Sequence, residues 1–433
     1  MAASDHTEGA TMPTSPRFTK SRKNLSVASE ATALHRDYAR RMWADIARGE
    51  QFVFGYGPME LFSSMGLYLV QHSAYGSLLA SKQLDRHYKG VLEARGYFRD
   101  IGNYHSLALG YAFDKNPDIA PDGGIPRPAA VVGQLAIDIG PLELYAREFG
   151  CPLYLMEDPD KQASIPGRWW EMQDWIDPHI VEFCVRELEG CCRFLEAVTG
   201  KHYSPTRLRR YLERADAMAE LYWRAADIAF ASEGPAPITI TDCLSEVAVF
   251  ETHFGEEWAL EHVRKFFAEV KDRADRGLAA CPDERVRLLW ASTPLWFNLG
   301  FYNRWEESHG AIFMEMNYLP RSQRMIYDDR SDPLRAVLMR RHMKYSGASP
   351  RAAADLCVHQ ARKFRADGVI VPKRGATRHA AGMYHYVALA LERAGIPTLA
   401  IEYEPTSSDG WDDAAATARV TAFIESLSSG KRP

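Results

Sequence analysis

Residues 364–382 read FRADGVIVPKRGATRHAAG, and their order decides the fold class. Gly368-Val369-Ile370-Val371-Pro372 is a short apolar run that predicts a buried strand, and Ala380-Ala381-Gly382-Met383-Tyr384 opens a helical pattern. Between them Lys373, Arg374, Arg378 and His379 surround the small residues Gly375-Ala376-Thr377. Strand, loop and helix in that order form a parallel α/β unit, in which ligands collect at the carboxyl ends of strands. The loop offers four potential cations and no ligand for a soft metal.

The same alternation extends outward on both sides. In the first half, SEATALHRDYARRMWADIARGE predicts a helix with Ser29 and Glu30 as its opening signals. QFVFGYG reads as a strand, MELFSSMGLYLV as a helix, AAVVGQLA as a buried strand, GPLELYAREFG as a helix and CPLYLMED as another strand. In the second half, RVRLLWAS, AIFMEMNYL, DGVIVPK and IPTLAIEYE read as strands between helices, with LWFNLGFYNRWEESHG as a helix closed by Gly310. Such alternation predicts α/β architecture, two parallel-sheet lobes with helices on both faces. Residues 170–235 are read as a helical region, with SEGPAPITITD as a turn-rich hinge and boundary. The expected divisions are a disordered tail over 1–28, a first lobe over 29–169 with its N-terminal helix, the helical region, and a second lobe over 236–433.

The chain has 433 residues, 46% hydrophobic and 25% charged, with a net charge of −5. These values describe a globular protein with no basic face for nucleic acid. No apolar run reaches the roughly 18 residues of a membrane span, and the N-terminus lacks the apolar core of a secretory signal, so a cytoplasmic protein is expected. Seven cysteines include no CxxC pair, and Cys184 and Cys191 lie seven apart on one predicted helix face. They read as buried thiols, so no metal site within this chain is expected. There is no GxxxxGK[ST] loop, no GxGxxG after a strand and no GxSxG elbow.

Three stretches, RVRLLWASTPLWFNLGFYNRWEESHGAIFMEMNY, ARKFRADGVIV and ERAGIPTLAIEYE, together resemble the 2-hydroxyacyl-CoA dehydratase / benzoyl-CoA reductase family. DIAPDGGIPRPAAVVGQLAIDIGPLELYAREFGCPLYLMEDP follows the same order in the first half. The resemblance covers about residues 45–430 and is nearest to the B-type subunit of benzoyl-CoA reductases. It implies flavodoxin-like (Rossmann-like) lobes with a helical region, and a [4Fe–4S] cluster held by three cysteines on strand-end loops. It also implies pairing with a related subunit, an ATP-hydrolysing activator, and an acyl-CoA substrate reduced to a ketyl-type radical. This chain departs from that pattern. The three ligand positions match Gly102, Lys344 or a neighbour, and Ala376. Clusters are retained by thiolates, so none is expected here, and a [4Fe–4S] group is expected in a Cys-bearing homologous partner. No nucleic-acid or membrane partner is expected.

The basic loop then occupies a former cluster site. Its cations are either solvated, or Lys373, Arg374, Arg378 and His379 bind a CoA phosphate or acyl carboxylate beside a helix N-terminus, or His379 works as an acid or base. Tyr104 and His105, on another former ligand loop, suit proton transfer, or His105 is a satisfied polar residue. By the resemblance, Trp296 and Asn298 flank the acyl group. Tyr56 lies in the first strand-end loop, Gly55-Tyr56-Gly57-Pro58, whose glycines let backbone approach a ligand. GRWWEMQDW reads as core, as a subunit contact or as a cover over an aromatic acyl group. Asp409-Gly410-Trp411 reads as a turn. The expected function is a cluster-less subunit of a heteromeric acyl-CoA dehydratase or reductase acting on an (aryl-)acyl-CoA. The alternatives are a cluster-free hydratase or lyase using Tyr104, His105 and His379, and a non-catalytic binding or assembly subunit.

Overall fold

A computed structural model describes residues 18–99, 101–114, 116, 118–157, 176–316, 332–342, 350–374 and 378–430. The first lobe carries strands β1 (Phe52–Gly55), β2 (Tyr68–Gln71), β3 (Ala130–Gln134) and β4 (Leu153–Met156). The second carries β5 (Val286–Trp290), β6 (Ala311–Met316), β7 (Gly368–Arg374) and β8 (Thr398–Tyr403). All pairings are parallel, in the orders β2-β1-β3-β4 and β6-β5-β7-β8. Each half therefore winds both ways from its first strand, as two flavodoxin-like lobes. This puts the switch points between β1 and β3 and between β5 and β7, where ligand crevices form. Central strands such as β5 are buried along their whole length because both faces are covered.

The stretch read as one helix, MELFSSMGLYLV, is a helix and a strand. The helix Met59–Met65 stops at Gly66 in the left-handed region (φ 75°), and the following residues form β2 beside β1. Glycine ends the helix at no steric cost, and the buried run beyond it completes the sheet edge. LWFNLGFYNRWEESHG likewise breaks into a 3₁₀ segment, Trp296–Asn303, and one helical turn, Glu306–His309.

One face of the first sheet is covered by the helices Pro178–Thr199 and Pro205–Ala226. Asp177 and Ser204 cap them, and proline fills their first turns. Leu188, Cys191, Leu195, Leu208 and Leu212 pack there against Val53, Ala130 and Val132. The helix Pro333–His342 comes from the second half by sequence, yet Leu334, Val337 and Leu338 join this first-lobe core. A larger core runs from Tyr111 and Tyr145, through Tyr222 and Phe266, to Trp290 and Phe313 of the second sheet. The lobes thus share apolar packing.

The stretch read as a hinge, residues 232–242, is tied to the second lobe. Arg287 donates to the carbonyls of Phe230, Ser232 and Gly234, and Ala236 and Ile238 are buried. Residues 18–25, grouped with the tail in the sequence reading, are anchored too. Asp242 accepts from the backbone N–H groups of Asn24 and Leu25, and Arg22 pairs with Glu306 and Glu307.

Candidate functional site at the seam between the lobes

Two first-lobe helices, His72–Ser81 and Asn103–Phe113, bring the expected residues to the seam. They approach backbone to backbone, since a Cβ on Gly76 would lie 2.9 Å from Tyr104 Cα. His72 begins its helix at the end of β2. Its Nδ1 is 3.2 Å from the Gly55 carbonyl, and its ring stacks on His105 with centroids 4.0 Å apart. His105 Nδ1 lies 3.3 Å from the Tyr145 hydroxyl. Both imidazoles are buried. Tyr56 lies nearby, its ring centroid 6.1 Å from that of His72.

Tyr104 faces the other lobe, where Trp296 Nε1 donates to its hydroxyl at 3.0 Å. Trp296 is itself held by its backbone N–H on the Pro405 carbonyl. The fold thus brings Tyr104, His105, Tyr56 and Trp296 to neighbouring positions around one seam. Asn298 Nδ2 donates to Asp413 at 2.9 Å, and its Oδ1 is buried with no hydrogen-bond partner among the described residues. Lys344 and Ala376 lie outside the described residues, as does GRWWEMQDW. Arg374, Arg378 and His379 fall on the end of β7 and the start of the helix Arg378–Arg393, and their side chains lie outside the described set. Lys373 is exposed.

Gly102 sits just before Asn103–Phe113 with φ 133°, and its carbonyl accepts from the Ser106 hydroxyl at 2.8 Å. Among the described residues, a Cβ there would meet only His105, at 3.7 Å. The thiols present do not fit an iron–sulfur cluster. Six of the seven are buried and Cys151 is half-buried. Cys184, Cys191 and Cys192 sit in the apolar first-lobe core. Burial pushes the thiols of Cys192 and Cys357 up to about 12 and raises Cys151 and Cys281 as well. A cluster needs thiolates, and these environments favour the protonated form.

Three features were not anticipated. The turn after β8 latches onto the first lobe. Asp409 accepts from Arg99 at 2.9 Å with Lys89 3.5 Å away, and Asp85 accepts from Ser407 and Ser408. Burial pulls the Asp409 carboxyl up, but Arg99 and Lys89 outweigh it and hold it below the ordinary carboxylate value. At the end of β5, Ser292, Thr293, Tyr384 and Tyr403 form a buried hydroxyl network. Beside Tyr56, the buried Arg340 bridges Glu60 and Asp216. Only the Asp-Gly-Trp turn left a trace in the sequence, because ion pairs between distant segments have no local pattern.

The family model described as 2-hydroxyglutaryl-CoA dehydratase, D-component, matches residues 55–427. No curated protein matches the sequence at a significant level. Among the described residues, no helix is long and apolar enough to cross a membrane.

Proposed function

The chain belongs to the 2-hydroxyglutaryl-CoA dehydratase D-component family, a component of a 2-hydroxyacyl-CoA dehydratase-type system, and from that premise we propose that it is the system's cluster-less subunit. It pairs with a homologous, Cys-bearing subunit that holds the [4Fe–4S] group, and it supplies one wall of the site for an (aryl-)acyl-CoA thioester. The observation that carries this reading is the Trp296–Tyr104 contact, two residues from Gly102. The loop that would present a thiolate is instead closed by a hydrogen bond between aromatic side chains of the two lobes. Tyr104 and Trp296 border the acyl group, with His105 behind them. Arg374 and Arg378 meet the anionic parts of the substrate.

A second reading, a cluster-free hydratase or lyase, draws on the stacked His72 and His105 with Tyr145 in reach. A buried imidazole between a phenol and a second imidazole can hold or pass a proton. His379 would be the opposing acid or base.

Anaerobic isolation of the chain from its native host, with iron and sulfide counted per complex, separates the two. Iron that arrives only with a Cys-bearing partner supports the first reading. Iron on this chain alone contradicts it. Turnover of an acyl-CoA by the iron-free, partner-free chain establishes the second.

A further inference from the structure

A CoA thioester carries its negative charge at the nucleotide end, far from the reacting carbonyl. On the second lobe a groove of about 370 Å³ opens beside the ends of β7 and β8, within the size range of small-molecule sites. Its floor is made of small residues, Ala400, Ala415 and Ala416, with Gly410 at one side. Lys373 and Arg419 also line it. Arg419 is steadied at the strand by donating from Nη2 to the Ala400 carbonyl at 2.7 Å. Asp412, Ala415, Ala416 and Arg419 recur at the spacing of one helix face, so the start of the helix Asp413–Gly430 borders the groove. Glu402 and Asp412 add acceptors. Cations and acceptors together suit a ligand with both phosphates and hydroxyl or amino groups better than a bare anion.

The indole of Trp411 forms another wall and ties the groove to the seam. Its ring packs edge-on against Phe297 with centroids 5.9 Å apart, and Phe297 adjoins Trp296, which bonds to Tyr104. Groove and seam are therefore linked by the aromatic series Trp411–Phe297–Trp296.

We propose that this groove is the nucleotide subsite of the chain, taking the 3′-phosphoadenosine diphosphate end of a CoA thioester. Lys373 and Arg419 bind phosphate oxygens, Trp411 packs against the base, and Glu402 and Asp412 accept from the sugar and the amino group. The pantetheine arm follows the aromatic series to the seam. The assignment rests on the acyl-CoA reading above.

The test is calorimetric titration of the full chain with 3′,5′-ADP and, separately, with benzoyl-CoA. The variants are Ala415→Trp, which fills the groove from an exposed position, and the double change Lys373→Gln/Arg419→Gln. Unchanged melting controls for folding, and Lys373→Gln alone serves if either variant melts early. The expected result is that wild type binds 3′,5′-ADP and each variant binds it at least about tenfold more weakly, as loss of a charged hydrogen bond implies. Wild-type affinity for 3′,5′-ADP in the variants overturns the groove. If benzoyl-CoA then still binds, the acyl-CoA reading survives without it. Binding of 3′,5′-ADP with no binding of benzoyl-CoA overturns the assignment, because benzoyl-CoA carries the same nucleotide end. Absence of binding by both ligands overturns both.

Discussion

Trp296 Nε1 donates to the Tyr104 hydroxyl at 3.0 Å, joining the 3₁₀ segment after β5 to the helix that follows Gly102. The bond lies where the two lobes present their strand ends to each other. It also spans 192 residues of sequence.

The bond makes the two residues energetically coupled. Tyr104→Phe should lower stability by about 1 kcal/mol, the typical net worth of one hydrogen bond. Trp296→Phe costs more, because packing is lost as well. In the double variant the hydrogen-bond share should appear only once, as a coupling of about 0.5–1.5 kcal/mol in a denaturation cycle. Strict additivity of the two changes would show that the bond does not hold the seam.

Gly102 adopts φ 133°, which side chains rarely tolerate, although among the described residues a Cβ there meets only His105 at ordinary contact distance. Gly102→Ala should therefore cost about 1–3 kcal/mol through backbone strain. Gly102→Cys should carry the same penalty and should not recruit iron when the isolated chain is reconstituted anaerobically with iron and sulfide. Metal analysis of the reconstituted variant reads the outcome.

Asp409 gives the seam an acid-sensitive component. Its folded-state carboxyl lies below its ordinary value because Arg99 and Lys89 outweigh the effect of burial. A lowered acid contributes stability that is complete above its unfolded value, here 3.8, and is lost as pH falls through the folded value. Melting of wild type should fall below that pH more steeply than melting of Asp409→Asn. The two curves should differ by a constant offset near neutrality. The difference should shrink in high salt, since Asp409 is partly exposed.

Asp242 accepts from the backbone of Asn24, Leu25 and Thr239 and from the Asn24 amide. Asp242→Ala leaves these donors without that acceptor and should cost about 3 kcal/mol or more. It should also speed tryptic cleavage at Lys20, Arg22 and Lys23. Gly300→Ala should release the same segment by another route, because its Cβ would fall 1.9 Å from the Thr19 carbonyl oxygen. N-terminal sequencing of timed digests distinguishes a released segment from general unfolding.

The cysteines should be unreactive in the native protein. Six are buried, and burial raises the thiols of Cys192, Cys281 and Cys357. Iodoacetamide should label Cys151 slowly and the others hardly at all until denaturant is added. Rapid native labelling of Cys184, Cys191 or Cys192 would count against their packing role.

The sequence alone determined the α/β class, the parallel sheets and most element positions. Those depend on local periodicity, turn residues and the apolar runs of doubly covered strands, as in Gly368–Val371. It also singled out Tyr104, His105, Tyr56 and Trp296, although Tyr104 and His105, expected on a loop, open the helix Asn103–Phe113. It failed at MELFSSMGLYLV, where a helix and a strand are equally apolar and only pairing with β1 distinguishes them. Tertiary structure alone decided that Pro333–His342 belongs to the first-lobe core. It also decided that Asn298 is tied to Asp413, and that an apparent turn at Asp409 latches the lobes. These facts depend on which distant segments meet, and that is fixed by the burial of whole faces, which no local stretch of sequence encodes.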